Sequence, residues 1–147
     1  MSAQADPLTN EERIRALIRS HHTAIRDHDA AGALAAYARD PVLYDLAPPL
    51  RLRTSGPEEL EAWFATWSGP IALKHDDLHV EIDGDLALAY GFLHMTGRRT
   101  DGEVTDLWMR QTLALRNIAG EWRIAHEHTS VPFHMDGSYR AAIDLEP

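Results

Sequence analysis

Residues 83–130, DGDLALAYGFLHMTGRRTDGEVTDLWMRQTLALRNIAGEWRIAHEHTS, decide the fold of this chain. Asp83-Gly84 and Asp101-Gly102 are hairpin-turn dipeptides, and Asn117 to Gly120 makes a slightly longer turn. The turns separate strand-like runs near residues 78–82, 86–98, 104–116 and 121–131. Long antiparallel strands twist and coil, so this half of the chain is predicted to form a curved meander.

The first half of the chain is predicted to be helical, and its helices would cover the concave side of the meander. Thr9 and Glu12 are typical of a capping box before a helix that runs to about Asp27. Asp29 can cap a second, short helix. Residues 55–58, Ser-Gly-Pro-Glu, begin a third helix, with proline tolerated in its first turn.

The segment after Asp29 is predicted to change from helix to strand within a few residues. Leu34 and Tyr37 are placed on the second helix, which Asp40-Pro41 ends because a residue before proline is driven out of the helical region. Residues 42–46 then form a short first strand.

Size and composition limit the classes of function. A chain of 147 residues with 44% hydrophobic content is expected to be one α+β domain over residues 1–147. The formal net charge of -9 disfavours nucleic acid as a partner. No long apolar run predicts a membrane span, and the N-terminus is not typical of a signal peptide, so a cytoplasmic location is expected. The absence of cysteine excludes disulfides and thiolate chemistry.

Three sequence blocks, residues 44–50, 106–112 and 120–133, resemble the signature blocks of SnoaL-like, ketosteroid isomerase-related bacterial proteins. These belong to the nuclear transport factor 2-like superfamily. The resemblance implies a cone-like, curved antiparallel sheet wrapped around three N-terminal helices. It also implies a homodimer with a small-molecule pocket inside each subunit and no required cofactor.

Asp45 is the first candidate catalytic residue, because the resemblance places it where ketosteroid isomerases carry their general base. A carboxylate among apolar groups is suited to moving a proton next to a carbonyl. The alternative is a carboxylate that pairs with an arginine or caps a turn near Pro48. Those isomerases hold the enolate with a tyrosine and a protonated aspartate, and His21 and Thr112 stand at these places here.

Alternation along a strand puts Trp108, Arg110 and Thr112 on one face, which is predicted to line the pocket. Arg110 would offer a fork of donors to a carboxylate or enolate oxygen. An internal ion pair of Arg110 with Asp45 or Asp106 is the other interpretation.

His126 and His128 also share a strand face, and one of the two is predicted to be a pocket acid or base while the other packs in the core. His128 is the candidate catalytic residue and His126 a candidate ligand contact. A metal site at His-x-His is an alternative, but the predicted metal content is none. Tyr44, Trp63 and Trp67 are candidate ligand contacts, and plain core is the favoured interpretation of the two tryptophans.

Three functions are therefore open. The first is a cofactor-independent isomerase or lyase acting on a small carbonyl or ring-containing substrate, with Asp45 as its base. The second is a dimeric module that binds a small ligand without chemistry, and the third is a water-activating hydrolase or dehydratase with a metal at the histidine pair. Homodimerisation is further predicted from apolar residues on both sides of the meander, with Leu113 and Leu115 set against Trp122 and Ile124.

Overall fold

The computed structural model describes residues 7–53 and 56–147. Its helices are α1 (Asn10–Arg26), α2 (Ala30–Leu34) and α3 (Pro57–Phe64). Its strands are β1 (Tyr37–Tyr44), β2 (Leu52–Arg53), β3 (Ala72–Asp83), β4 (Leu86–Arg98), β5 (Val104–Ile118) and β6 (Glu121–Ser130). Within the described residues, no helix has the length and apolar character needed to cross a bilayer.

The predicted starts of the helices are confirmed where the structure describes them. Thr9 and Glu12 form the expected capping box at the start of α1. The Asp29 side chain caps α2 by accepting the N–H of Gly32 at 2.9 Å. α3 begins at Pro57, so a proline occupies the first turn of this helix, as predicted. Ser55, the first residue of the predicted helix start, lies outside the described residues.

The second helix is shorter than predicted, and the placement of Tyr37 on it is wrong. α2 ends at Leu34, and Tyr37 is already the first residue of β1. Tyr37 pairs with Ile124 of β6, and the backbone N–H of Ile124 donates to the Ala36 carbonyl at 2.9 Å. Pairing with a long strand thus overrides the helical preference of the alanines before it.

The six strands form one curved, unclosed sheet in the order β2-β1-β6-β5-β4-β3. β3 to β6 are the expected antiparallel meander, joined at the predicted turns. β1 pairs with β6 in parallel, so the sheet is mixed. β3 carries a bulge between Asp76 and His79, and Gly91 of β4 lies beneath it, where an added Cβ would meet two carbonyl oxygens of β3 at 2.9 Å.

The helices and the concave face of the sheet enclose two apolar clusters. The narrow cluster joins the first half of α1 to β4, β5 and β6, and it includes Ile14, Ile18, Leu113, Leu115, Trp122 and Ile124. The wide cluster joins the end of α1 to α2 and α3, and it includes Ile25, Ala33, Phe64, Trp67 and Ile71.

Leu113 and Leu115 therefore lie on the same side of the sheet as Trp122 and Ile124, and the expectation that these pairs occupy opposite faces is wrong. The register explains the error. A shift between Ala114 and Leu115 in the β5–β6 pairing places all four side chains toward the helices.

Candidate functional site

Polar side chains lie between the narrow and the wide apolar clusters, in the middle of the concave face. We call this group the polar layer. Its members are His21, His22, Tyr37, His75, Gln111, Glu127 and Thr129. Gln111 and Thr129 are the two polar residues among the described residues with side chains counted as buried, at 7% and 6% exposure.

Strand alternation brings Tyr37 and Glu127 together inside the sheet. β1 and β6 run side by side, with Tyr37 opposite Ile124 and Leu43 opposite Glu127. Ile124 is buried and points toward the helices, and Tyr37 packs against the same cluster. The Tyr37 hydroxyl donates to Oε2 of Glu127 at 2.5 Å, across two neighbouring strands. A donor and a carboxylate are thus joined inside the fold.

The second oxygen of Glu127 is held from the other neighbouring strand. Gln111 of β5 donates from Nε2 to Oε1 of Glu127 at 2.8 Å, and the Thr129 hydroxyl donates to the same oxygen at 3.4 Å. Gln111 Nε2 also lies 3.3 Å from the Thr129 hydroxyl oxygen. The carboxylate is oriented from both sides, which limits its rotation.

His75 extends the network to the edge strand β3. Its Nε2 donates to Oε1 of Gln111 at 2.7 Å, since the other end of that amide already donates to Glu127. Burial lowers the pKa of His75, against the opposing effect of its hydrogen bond with Gln111. The ring is therefore neutral at pH 7, with a lone pair on Nδ1.

The two histidines of α1 complete the polar layer. The His22 ring lies 4.9 Å from the His75 ring, centre to centre. Burial, with smaller effects from His75 and His21, lowers the pKa of His22 to about 3, so it too is neutral at pH 7. His21 donates from Nδ1 to the Ala33 carbonyl at 3.0 Å and sets its ring edge-on to Tyr37 at 5.3 Å.

Tyr37 is a donor that keeps its proton. Burial raises its pKa well above the usual value, and the negative charges of Glu127 and Asp45 act in the same direction. Asp45 itself is exposed just beyond the end of β1, where its Oδ1 accepts the N–H of Leu46 at 2.7 Å. Asp45 thus lies at the border of the polar layer, close enough for its charge to act on Tyr37.

The predicted pocket face of β5 is the outer face of the sheet. Met109, Gln111 and Leu113 are buried toward the helices, whereas Arg110 and Thr112 are exposed on the opposite side. Trp108 shares that side and stacks flat on His94, with ring centres 4.3 Å apart. The roles proposed for these three residues in binding and catalysis stay predictions.

His126 and His128 also lie on the outer face, next to Tyr44. The Tyr44 ring meets both imidazoles edge-on, at 4.8 and 5.5 Å between ring centres. His126 donates from Nδ1 to the Val42 carbonyl at 2.7 Å. In the described part of the chain, no three or more histidine, aspartate or glutamate side chains are grouped as metal ligands.

Trp63 and Trp67 lie in or against the wide apolar cluster. Trp67 is 5% exposed and meets the Trp63 ring edge-on at 5.5 Å. The Arg99 guanidinium lies over the Trp67 ring at 4.7 Å. Their packing explains both residues as core, and a contact with a ligand stays a prediction.

Six of the seven members of the polar layer are not among the predicted site residues: His22, Tyr37, His75, Gln111, Glu127 and Thr129. The signal for Gln111 and Glu127 was present in the alternation, because each stands between residues that were assigned to the pocket. Alternation separates two faces but does not say which one the helices cover.

Comparison with known proteins places the chain among related sequences and folds. The model of a family described as a SnoaL-like domain matches residues 14–134. A nuclear transport factor 2-like protein of unknown function from Pseudomonas putida is 32% identical, with a TM-score of 0.79 over 96% of this chain and 100% of that one. No curated protein matches the chain significantly.

Two further crystal structures share the fold. A ketosteroid isomerase-like protein from Erwinia carotovora atroseptica is 27% identical, with a TM-score of 0.65 over 83% of this chain and 97% of that one. A protein of unknown function with a cystatin-like fold from Nostoc punctiforme is 20% identical, with a TM-score of 0.65 over 85% and 94% of the two chains.

Proposed function

This chain belongs to the SnoaL-like domain family, and we propose that it is a cofactor-independent isomerase or lyase that moves a proton on a small organic carbonyl compound. The polar layer is its active site in this proposal. Glu127 is the base and Tyr37 the hydrogen-bond donor. The observation that carries the proposal is the 2.5 Å contact of the Tyr37 hydroxyl with a carboxylate between two apolar clusters.

The proposed step begins when Glu127 takes a proton from the carbon next to the substrate carbonyl. The bonding electrons move into an enolate, and the carboxylate becomes a neutral acid. Neutral Glu127 accepts more weakly, so the Tyr37 hydroxyl is released to donate to the new oxyanion. Return of the proton to another carbon completes an isomerisation, and loss of a leaving group completes an elimination.

Asp45 is the alternative base in the same active site, as the family resemblance implies. It is exposed at the border of the layer, and its charge contributes to the raised pKa of Tyr37. Glu127 is favoured because the protein holds its carboxylate from two strands, whereas the carboxylate of Asp45 accepts the backbone N–H of the next residue.

The test is deuterium exchange at the α-carbon of cyclopentanone, cyclohexanone and 2-cyclohexenone in D₂O, followed by NMR. Glu127→Gln is expected to lower the exchange rate by about 10²–10⁴-fold, the usual contribution of a general base. Glu81→Gln is the matched control, because Glu81 also accepts a tyrosine hydroxyl but on the exposed outer face. If Asp45→Asn abolishes exchange and Glu127→Gln does not, Asp45 is the base.

A ligand-binding module without chemistry is the second candidate function. It is favoured by one observation, namely that both oxygens of Glu127 already accept hydrogen bonds from the protein. Under this alternative, none of the three ketones exchanges faster with the protein than without it, and Glu127→Gln changes ligand affinity alone.

We further propose that the protein is a homodimer joined through the outer face of the sheet. Leu86, Leu88 and Phe92 of β4 are 47%, 40% and 38% exposed on that face, which leaves apolar area for a second copy to cover. Leu88→Glu combined with Phe92→Glu is expected to halve the mass seen by sedimentation velocity. Leu50→Glu is the control, because Leu50 is exposed in the loop between β1 and β2.

A further inference from the structure

A groove of about 430 Å³ lies between α1 and the free edge of β3, and it shares His22 and His75 with the polar layer. Its base is apolar and is formed by Ile18 of α1 with Leu73 and Leu78 of β3. Ile18 is only 2% exposed and belongs to the narrow cluster, against which Leu78 also packs, whereas Leu73 packs against the wide cluster. A groove of this size is in the range of small-molecule sites.

The rim of the groove is cationic in a protein with a strong negative charge. Arg15, Arg19 and Lys74 line it, and no lining residue carries a carboxylate. The chain as a whole has 23 acidic against 14 basic residues. A cluster of three cations without lining acids concentrates positive potential at this one place.

The three cations of the rim are not equivalent. The Arg15 guanidinium already makes two hydrogen bonds within the protein, since it donates to Glu11 at 3.0 Å and to the Leu78 carbonyl at 3.0 Å. Within residues 7–53 and 56–147, Arg19 and Lys74 make no ion pair or side-chain hydrogen bond. Arg19 and Lys74 are therefore free to bind an anion.

The inner end of the groove adds polar groups without adding charge. His22 and His75 line it, and both are neutral at pH 7, because burial lowers the pKa of each ring. Neutral imidazoles offer a hydrogen-bond donor or acceptor and a flat apolar face. A ligand with a ring or short apolar body and one acidic group matches this arrangement.

The free edge of β3 is also a place where an extended peptide could add a strand, but the structure argues against it. Arg15 already occupies the Leu78 carbonyl, and the bulge between Asp76 and His79 breaks the regular edge. An added strand needs a continuous row of free backbone groups.

We propose that this groove binds a small organic carboxylate, whose apolar body lies on Ile18, Leu73 and Leu78 and whose carboxylate is held by Arg19 and Lys74. The site does not include Glu127 or Tyr37. It would therefore bind its ligand whether or not the polar layer performs chemistry.

The test is an NMR titration of the ¹⁵N-labelled protein with benzoate at low salt and pH 7. Benzoate is expected to shift amide signals of α1 and β3, while benzamide, its neutral counterpart, shifts none of them. The double variant Arg19→Gln/Lys74→Gln is expected to weaken benzoate binding at least about tenfold, since it removes both charged donors.

The matched control is Arg26→Gln/Arg98→Gln, which removes the same number of charges from α1 and from the β4–β5 hairpin. If both double variants weaken benzoate binding equally, the effect comes from net charge in general, and the proposed site is wrong. Shifts confined to the outer face, equal binding of benzamide, or no shift by benzoate would also overturn it. Binding of an extended Glu-Val-Glu-Val-Glu peptide in place of benzoate would assign the edge to strand addition instead.

Discussion

In the described part of the chain, two tyrosines donate to glutamates, one on each face of the sheet. Inside, Tyr37 donates to Glu127 at 2.5 Å, and burial is the main reason that the pKa of Tyr37 is raised well above the usual value. Outside, Tyr90 donates to Glu81 at 3.2 Å, and the hydrogen bond itself is the main reason that the pKa of Tyr90 is raised. The residue types are the same, so the difference comes from the face on which the strands place them.

The largest difference between the faces is expected for apolar residues. Leu115→Ala removes a side chain that is fully buried among the narrow cluster, and it is expected to cost about 2–5 kcal/mol of unfolding free energy. Leu88→Ala, on the outer face of the neighbouring strand, is expected to cost less than about 1 kcal/mol. Urea denaturation of the two variants measures both values.

Similar losses of unfolding free energy for Leu115→Ala and Leu88→Ala would contradict the expected difference between the inner and the outer face. The outer face would then be packed as tightly in solution as the inner one. A concentration-dependent loss for Leu88→Ala alone would assign that packing to a second copy of the chain.

The inner face is also expected to respond to acid. The pKa of His22 is lowered from 6.5 to about 3 in the fold, so the unfolded chain binds the extra proton between these pH values. The contribution of His22 to the free energy of unfolding is therefore fully present above pH 6.5, and it is lost as the pH is lowered toward 3. The loss is about 1.4 kcal/mol per pH unit, or roughly 2–3 kcal/mol between pH 6.5 and 4.5.

His22→Gln is expected to flatten the pH dependence of the urea midpoint between pH 6.5 and 4.5. His79→Gln is the matched control, because His79 is exposed on β3 and pairs with Asp77. If His79→Gln flattens the profile as much as His22→Gln does, the acid response does not come from the polar layer.

The elements of the fold could be predicted from the sequence, because their signals are local. The Thr9 capping box, the Asp29 cap and the Asp-Gly turns each act within a few residues. The site could be predicted only as two alternating sets on β5 and β6. Which set faces inward depends on the helices and on the register shift at Ala114, and neither is encoded within the strand itself.

The start of β1 shows the same limit at one residue. Tyr37 follows an alanine-rich helix, and local preference assigns it to that helix. Its place in β1 is set by pairing with Ile124, 87 positions further along the chain. The position of Tyr37, the residue that donates to Glu127, therefore depends on a long-range contact that local sequence signals do not reveal.

The two tyrosine–glutamate pairs can be compared directly by removing each hydroxyl. Tyr37→Phe leaves the half-buried carboxylate of Glu127 without one donor, and it is expected to cost about 1–3 kcal/mol of unfolding free energy. Tyr90→Phe is expected to leave the urea midpoint unchanged, because water replaces the lost donor. If Tyr37→Phe leaves the urea midpoint unchanged as well, water reaches Glu127 and replaces the lost donor. The inner pair would then be as accessible to water as the outer one.

A small effect is also expected for the outer-face contact that joins His94 to Asp106 at 2.6 Å. Asp106→Asn is expected to cost less than about 1 kcal/mol, because Asp106 is 69% exposed and exposed pairs gain little. The flat stack of His94 on Trp108 holds that ring in place without the pair. If Asp106→Asn costs as much as Tyr37→Phe at high protein concentration and little at low concentration, a second copy covers the outer face. The contrast between the two faces would then hold only for the isolated subunit. In the dimer both faces would be shielded from water, the inner one at Glu127 and the outer one at His94.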